Sequence, residues 1–359
     1  MQKRISYLDL LRVAASVFVV FMHTAARGLR TDPAGHTGWF VLAGLSSLAF
    51  CAVPLFFMIT GFLLTSSDRT GDVRVLLRER LPRLLVPLFF WSLLYIARDL
   101  AADRFSLSLL GEKLLLMLRE PVNVSLWFMY ALTAMYLISP LLCAGLRSLD
   151  RRGEILLLGL IAAVKLLSAL RIAFPAFGAA YLSFDVANYL EVFSGYLACF
   201  ILGWFLGKTE RRFPAPLLWA AALGTWGLIT AGTILRSLAV GDYAASFQTQ
   251  SGGFEILLAA SLFLLAKQAR LPQRPGVQRV LRETAPCTFA VYLMHNLLLL
   301  LTGASGRTSL TGVLLGTALI WGLALVIAWL CRFVPGLSYL TCGLPRRRSL
   351  ADKGKRSLG

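Results

Sequence analysis

The amino-acid sequence predicts an all-α polytopic membrane helix bundle of about ten spanning helices, with the N- and C-termini cytoplasmic. Three observations carry this prediction. The chain is 57% hydrophobic with a mean hydropathy of +0.71. Apolar runs of roughly 20 residues, the length that crosses the hydrocarbon of a bilayer, recur from one end to the other. The basic residues also alternate between loops. With the N-terminus inside, 25 of the 36 lysines and arginines fall on the cytoplasmic side and 9 on the other, while Arg12 and Lys165 lie within spans. Such an excess marks cytoplasmic loops.

The same observations exclude several function classes. A formal charge of +18 would point to nucleic acid in a soluble protein. Set between apolar spans, it points to lipid headgroups and anionic ligands at the cytoplasmic face. The spans leave no room for a separate soluble domain of ordinary size. The 6 cysteines are scattered without a C-x-x-C pair, which argues against a disulfide framework or a bound metal such as zinc.

The expected spans are 8–26, 39–65, 84–101, 126–146, 154–172, 186–207, 216–239, 252–268, 285–303 and 311–333. The first follows Lys3 and Arg4 and ends in small residues, as a cleaved leader would. Its internal polar residues and the many spans behind it argue that it stays as a helix. The second is overlong and contains Pro54, so a tilt or kink is expected. The third begins after Pro82. The spans form one transmembrane domain, 1–340, followed by a basic cytoplasmic tail, 341–359, expected to be disordered and to touch anionic lipid.

The first span carries Asp9, Arg12 and His23. Ionisable side chains are costly in a lipid interior and usually face a protein interior or a water-filled path. Arg12 and His23 are 11 residues apart, which at about 100° per residue returns them to within roughly 20° of one direction. Ser16 and Val19 fill the same stripe, giving a track about 16 Å long at 1.5 Å per residue. Asp9 lies one turn below Arg12 and can pair with it. Imidazole suits proton transfer near neutral pH, which makes His23 a candidate base, although a histidine satisfied by a neighbouring helix would look the same.

Three further stretches stand out. Arg74, Arg78, Arg80 and Arg83 cluster at the mouth of the third span, where guanidinium forks suit phosphate and equally serve as a topology signal. YLMHN at 292–296 places His295 in a span, as a functional group or as a hub joining helices. Trp127, Tyr130 and Tyr136 in SLWFMYALTAMYLISPLL fit an interfacial belt and packing. Lys165, Glu191 and Glu255 can each pair internally, and His36 in an outer loop reads as solvated.

Together these stretches resemble the acyltransferase family 3 membrane proteins, which include O-acetyltransferases of surface polysaccharides. LDLLRVAASVFVVFMHTA matches the first-helix signature with Arg12 and His23. FFMITGFLL is similar to the second-helix block, with Thr60 where serine is commoner. Arg80 and Arg83 stand where the family carries R-x-x-R, LWFMYALTAMYLISPLL is similar to its LWFL block, and VYLMHNLLL to its late Y-L-x-H block. The resemblance spans nearly the whole chain.

The resemblance implies a multi-pass protein of the bacterial inner (cytoplasmic) membrane. It would move an acyl group, acetyl in the first instance, from cytoplasmic acyl-CoA to a hydroxyl of a surface or lipid-linked saccharide. His23 would be the general base, Arg12 and Asp9 its catalytic partners, and Arg80 and Arg83 the holders of CoA phosphates. Tyr292, His295, Trp127 and Thr60 would contact substrate. Acyl-CoA, the saccharide and membrane lipids are the implied partners, without nucleic acid and with homo-oligomerisation left open. A polar track in a helical bundle also suits a transporter or flippase, or a non-catalytic sensory domain. Transport would predict paired broken half-helices in two repeats, and no convincing internal repeat is present.

Overall fold

The computed structural model describes residues 5–32, 34–102, 106–174, 195–270, 272 and 274–344. Among the described residues every regular element is helical. In chain order these are α1 (Ser6–Thr31), α2 (Thr37–Ala49), α3 (Ala52–Thr65), α4 (Leu81–Ala102), α5 (Leu107–Arg119), α6 (Trp127–Ser148) and α7 (Arg151–Ala173). There follow α8 (Tyr196–Lys208), α9 (Ala215–Val240), α10 (Gly253–Gln268), α11 (Pro275–Thr284), α12 (Thr288–Thr302), α13 (Leu310–Cys331) and α14 (Leu337–Cys342). Among the described residues, 8 helical stretches are long and apolar enough to cross a membrane. The protein is a multi-pass membrane protein.

Each of the ten expected spans meets a helix, and several of these helices are by themselves shorter than a full crossing. Helix α8 has 13 residues and begins at Tyr196, behind the extended Gly195; the start of its expected span lies outside the described residues, as do Glu191 and the basic tail beyond 344. Helix α10 has 16 residues.

Helix α1 is the pillar of the bundle. It packs on α2, α3, α10, α12 and α13, and Ala15 and Val20 along it are fully buried. The overlong second span is broken at Phe50 and Cys51 into α2 and α3. Pro54 explains the break: it lacks an N–H, and its ring needs the space that the carbonyl of Phe50 would occupy in a continuous helix. Helices α3 and α8 then cross with their backbones in contact. A Cβ on Gly61 would sit 2.0 Å from the carbonyl oxygen of Phe200, and one on Gly203 would sit 2.0 Å from that of Met58. Gly203 and Gly207 form a G-x-x-x-G pair of the kind that lets membrane helices approach this closely.

The third span departs from its expected start. Helical structure begins at Val73 and runs through a π-helical turn, Leu76–Arg80, directly into α4. Pro82 displaces the carbonyl of Arg78, and the wider turn ahead of it absorbs that displacement instead of ending the helix. Farther along α4, Pro87 leaves the carbonyl of Arg83 without its intrahelical donor. Helix α14 docks at this place. The indole of Trp91 donates to the carbonyl of Thr341 at 3.1 Å. Gly343, with φ +63°, comes so near that a Cβ there would lie 2.1 Å from the Arg83 oxygen. Both the left-handed backbone and the close approach demand glycine.

Candidate active site

Two cavities open where α1, α3, α4, α6 and α12 converge. The first, of about 290 Å³, is lined by Arg12, Thr60, Arg83, Tyr136 and Tyr292 among others. The second, of about 560 Å³, is lined by Asp9, Arg12, Ser67, Arg80, Arg83 and Tyr136 among others. Arg12, Arg83 and Tyr136 belong to both walls, so the cavities meet at two guanidinium groups and a phenol.

The second cavity is the more polar end. On α1, the Arg12 guanidinium lies 3.7 Å from the carboxylate of buried Asp9, the one-turn pairing that their spacing predicts. Arg80 donates to Thr70 Oγ1 at 2.7 Å and to Ser67 Oγ at 3.0 Å. Thr70 in turn donates to the carbonyl of Leu64 at 2.5 Å. Arg147 donates to the carbonyls of Thr65 at 2.6 Å and Ser67 at 2.8 Å. The turn after α3 is therefore tied down by two arginines, and Arg80 keeps further N–H donors for an anion. Arg83 is exposed and, among the described residues, makes no hydrogen bond or ion pair, so its whole fork is available. Arg74 and Arg78 are exposed and line neither cavity.

The histidines occupy a different level. His23 is half-buried, 11 residues along α1 from Arg12, and its ring centroid lies 5.0 Å from that of His295 on α12. Neither ring lines the two cavities. The expected track between Arg12 and His23 is interrupted. Ser16 accepts from the indole of Trp321 at 2.9 Å and donates to the carbonyl of Val13 at 2.7 Å, and Val19 is buried in the core. The link between the two levels runs through Tyr292, whose side chain lines the first cavity and whose ring lies 5.8 Å from that of His295.

The segment of α12 that carries His295 is held from two sides. Tyr292 donates through its hydroxyl to the carbonyl of Ser125. Asn296 donates to Asn123 Oδ1 at 2.6 Å, an atom that also accepts from the Ser125 amide at 3.0 Å and hydroxyl at 2.7 Å. From α4, the Tyr95 hydroxyl accepts from the amide of Leu297 at 2.9 Å and donates to the carbonyl of Leu293 at 3.2 Å. Those two backbone groups pair with each other in a regular helix, so a side chain has been inserted into the ladder.

The other sequence candidates have plain structural places. Thr60 lines the first cavity and donates back to the carbonyl of Phe56 at 2.8 Å. Trp127 lines neither cavity; its ring lies 5.2 Å from Tyr196 and 6.2 Å from Phe128. Lys165 donates to the carbonyl of Ser251, and Glu255 accepts from the Thr249 amide at 2.8 Å, so both fasten the turn ahead of α10. His36 is the N-cap of α2, accepting from the Trp39 amide at 3.2 Å. Tyr136, which reads as packing from its pattern, joins both cavity walls. Tyr95, Asn123, Ser67 and Thr70 carried no signal, because lone polar residues at loop ends and in apolar runs have no pattern of their own.

Comparison with known proteins adds one finding. A family described as an acyltransferase domain matches residues 5–333. No curated protein and no solved structure gives a match. The family match covers nearly all of the chain, including α1, α3, α4, α6 and α12 around the two cavities together with His23 and His295, and it ends before α14. The chain therefore belongs to the acyltransferase 3 family and is a membrane acyltransferase.

Proposed function

We propose that the protein moves an acyl group, acetyl in the first instance, from cytoplasmic acyl-CoA to a hydroxyl of a surface or lipid-linked saccharide. The observation that carries this reading is the meeting of two cavities at Arg12 and Arg83, in a chain of an acyltransferase family. Paired guanidinium forks suit the CoA phosphates, with Arg83 offering its full set of donors and Arg80 braced by Ser67 and Thr70. The pantetheine arm would extend past Arg12 and Tyr136 toward Tyr292 and Thr60. Trp127, set back from the cavity, would shape the wall through Phe128.

In the reaction the saccharide oxygen attacks the thioester carbonyl. A C–O bond forms, the C–S bond breaks, and the hydroxyl proton passes to His23. His23 then returns that proton to the departing thiolate. Arg12, oriented by Asp9, would help to hold the CoA phosphates, because it lies about 16 Å along α1 from His23 and the two side chains cannot act on one carbonyl. The acyl carbonyl would be carried past Arg12 to the level of the base.

The test uses sealed membrane vesicles that keep their native acceptors, with labelled acetyl-CoA supplied to the cytoplasmic face. Wild-type protein should place label on saccharide. His23→Ala should lower that rate by about 10²- to 10⁴-fold, the usual range for loss of a general base. Equal labelling by both proteins would remove His23 from the chemistry. An absence of labelled saccharide from wild type would remove acyl-CoA or the saccharide from the reading.

A further inference from the structure

One polar atom in the bundle stands apart from the rest. His295 is 0% exposed, and its Nε2 is buried with no hydrogen-bond partner. Buried polar atoms are nearly always paired, so an orphan of this kind calls for a reason. Its other nitrogen settles what the orphan can do. Nδ1 lies 2.6 Å from the carbonyl oxygen of Tyr292. A carbonyl can only accept, so Nδ1 carries the proton and donates. In the neutral ring Nε2 is then a bare lone pair, fixed in direction by the turn of helix beneath it.

The nearest partner of fitting chemistry is His23. Its ring centroid is 5.0 Å away, with the two planes inclined by 49°. Among the described residues His23 makes no hydrogen bond, and it is half-buried where His295 is wholly enclosed. His23 is therefore the more accessible of the two rings, and His295 is the ring behind it. The bracing by Tyr95 and Asn123 keeps that rear ring in place.

We propose that His295 is a positioning residue for His23. The two rings are neighbours without a hydrogen bond in the structure, and a rotation of the His23 ring would let Nε2 accept one of its N–H groups, leaving the other nitrogen of His23 with the lone pair that takes the acceptor's proton. The chain runs from the Tyr292 carbonyl through His295 and His23 to the hydroxyl. It does the work that a carboxylate does behind the histidine of a hydrolase triad, where the partner fixes tautomer and orientation. Here the partner is neutral. When His23 becomes imidazolium, its rear N–H still has an acceptor, while the absence of a counter-charge leaves the proton easy to return to the thiolate. The proposal rests on the reading of His23 as the base.

The test takes the full chain in nanodiscs with ¹⁵N-labelled histidine. The sequence has only 3 histidines, so single substitutions assign every imidazole signal. His295 should appear as the Nδ1–H tautomer, and replacing it should shift the His23 resonances. In acyl transfer from acetyl-CoA, His295→Leu should lower kcat by about 30-fold or more while the KM for acetyl-CoA stays within about twofold, the pattern of an interaction made in the transition state. His295→Gln, which keeps an acceptor oxygen and a donor amide, should recover activity to within about fivefold of wild type. The His295→Gln protein should melt close to wild type, so that its kcat reports the hydrogen bond and not the fold.

Unmoved His23 resonances in the His295 variants would overturn the proposal, as would a folded His295→Gln protein that loses as much kcat as His295→Leu. A protein whose wild type transfers no acetyl group would overturn the functional reading. The spectra would then still decide whether the two rings are joined.

Discussion

Around Arg12, Arg80 and Arg83 the polar groups face cavities, with Arg80 tied to hydroxyls of a nearby turn and Arg12 paired with Asp9. Around His23 and His295 the polar groups of the helix are satisfied within the bundle, and one ring nitrogen is left bare. The contrast assigns different work to the two regions. Charges that face a cavity hold a soluble, charged ligand and stay hydrated when it leaves. A lone pair enclosed in apolar packing has no such ligand to hold, and its directional precision serves proton transfer. In the proposed reaction substrate capture and chemistry are thus set at separate levels of one helix, with Tyr292 beside both.

Experiments can break or sharpen this division. The largest expected effect is that of His23→Ala, a loss of about 10²- to 10⁴-fold in kcat with acetyl-CoA affinity unchanged. A matching loss of affinity would merge the two regions. Next, Arg83→Ala should weaken acetyl-CoA binding by about tenfold with little change in kcat, as expected when one unshared guanidinium is removed from a phosphate. Calorimetry on the protein in nanodiscs would check it. Raising ionic strength about tenfold should weaken the same binding by several-fold and leave kcat at saturation alone, because only the exposed charges are screened. The smallest effect is that of Tyr95→Phe. It removes the hydroxyl that bridges Leu293 and Leu297, and it should cost about 1 kcal/mol, read as a small fall in melting temperature. If Tyr95→Phe also lowers kcat, the bridge orients His295 as well as bracing its helix.

Much of this was legible along the chain, and the limits have physical causes. The length of apolar runs located the helices, since a spanning segment must satisfy its own backbone. Pro54 announced a tilt or kink, which the structure realises as a break between α2 and α3. Pro82 misled, because a π-helical turn lets a helix continue through a proline that would otherwise begin one. The pairing of Asp9 with Arg12 followed from spacing within one helix. The pairing of His23 with His295 could not, because those residues are 272 positions apart and meet only through the crossing of α1 and α12. For the same reason the stripe from Arg12 to His23 looked continuous, whereas the indole of Trp321 on α13 takes up Ser16. Periodicity reports the face of a helix and is silent about what the neighbouring helix places there.

The glycine crossing of α3 and α8 has a consequence for the ligand. Thr60 stands beside Gly61, where a Cβ would meet the carbonyl of Phe200, so this wall of the first cavity is as stiff as a keel. The same cavity is also walled by Cys342, Gly343 and Leu344, at the end of a helix of only six residues. Substitution at Leu344 should therefore alter how tightly the proposed acyl-CoA fits there, with α3 setting a fixed floor.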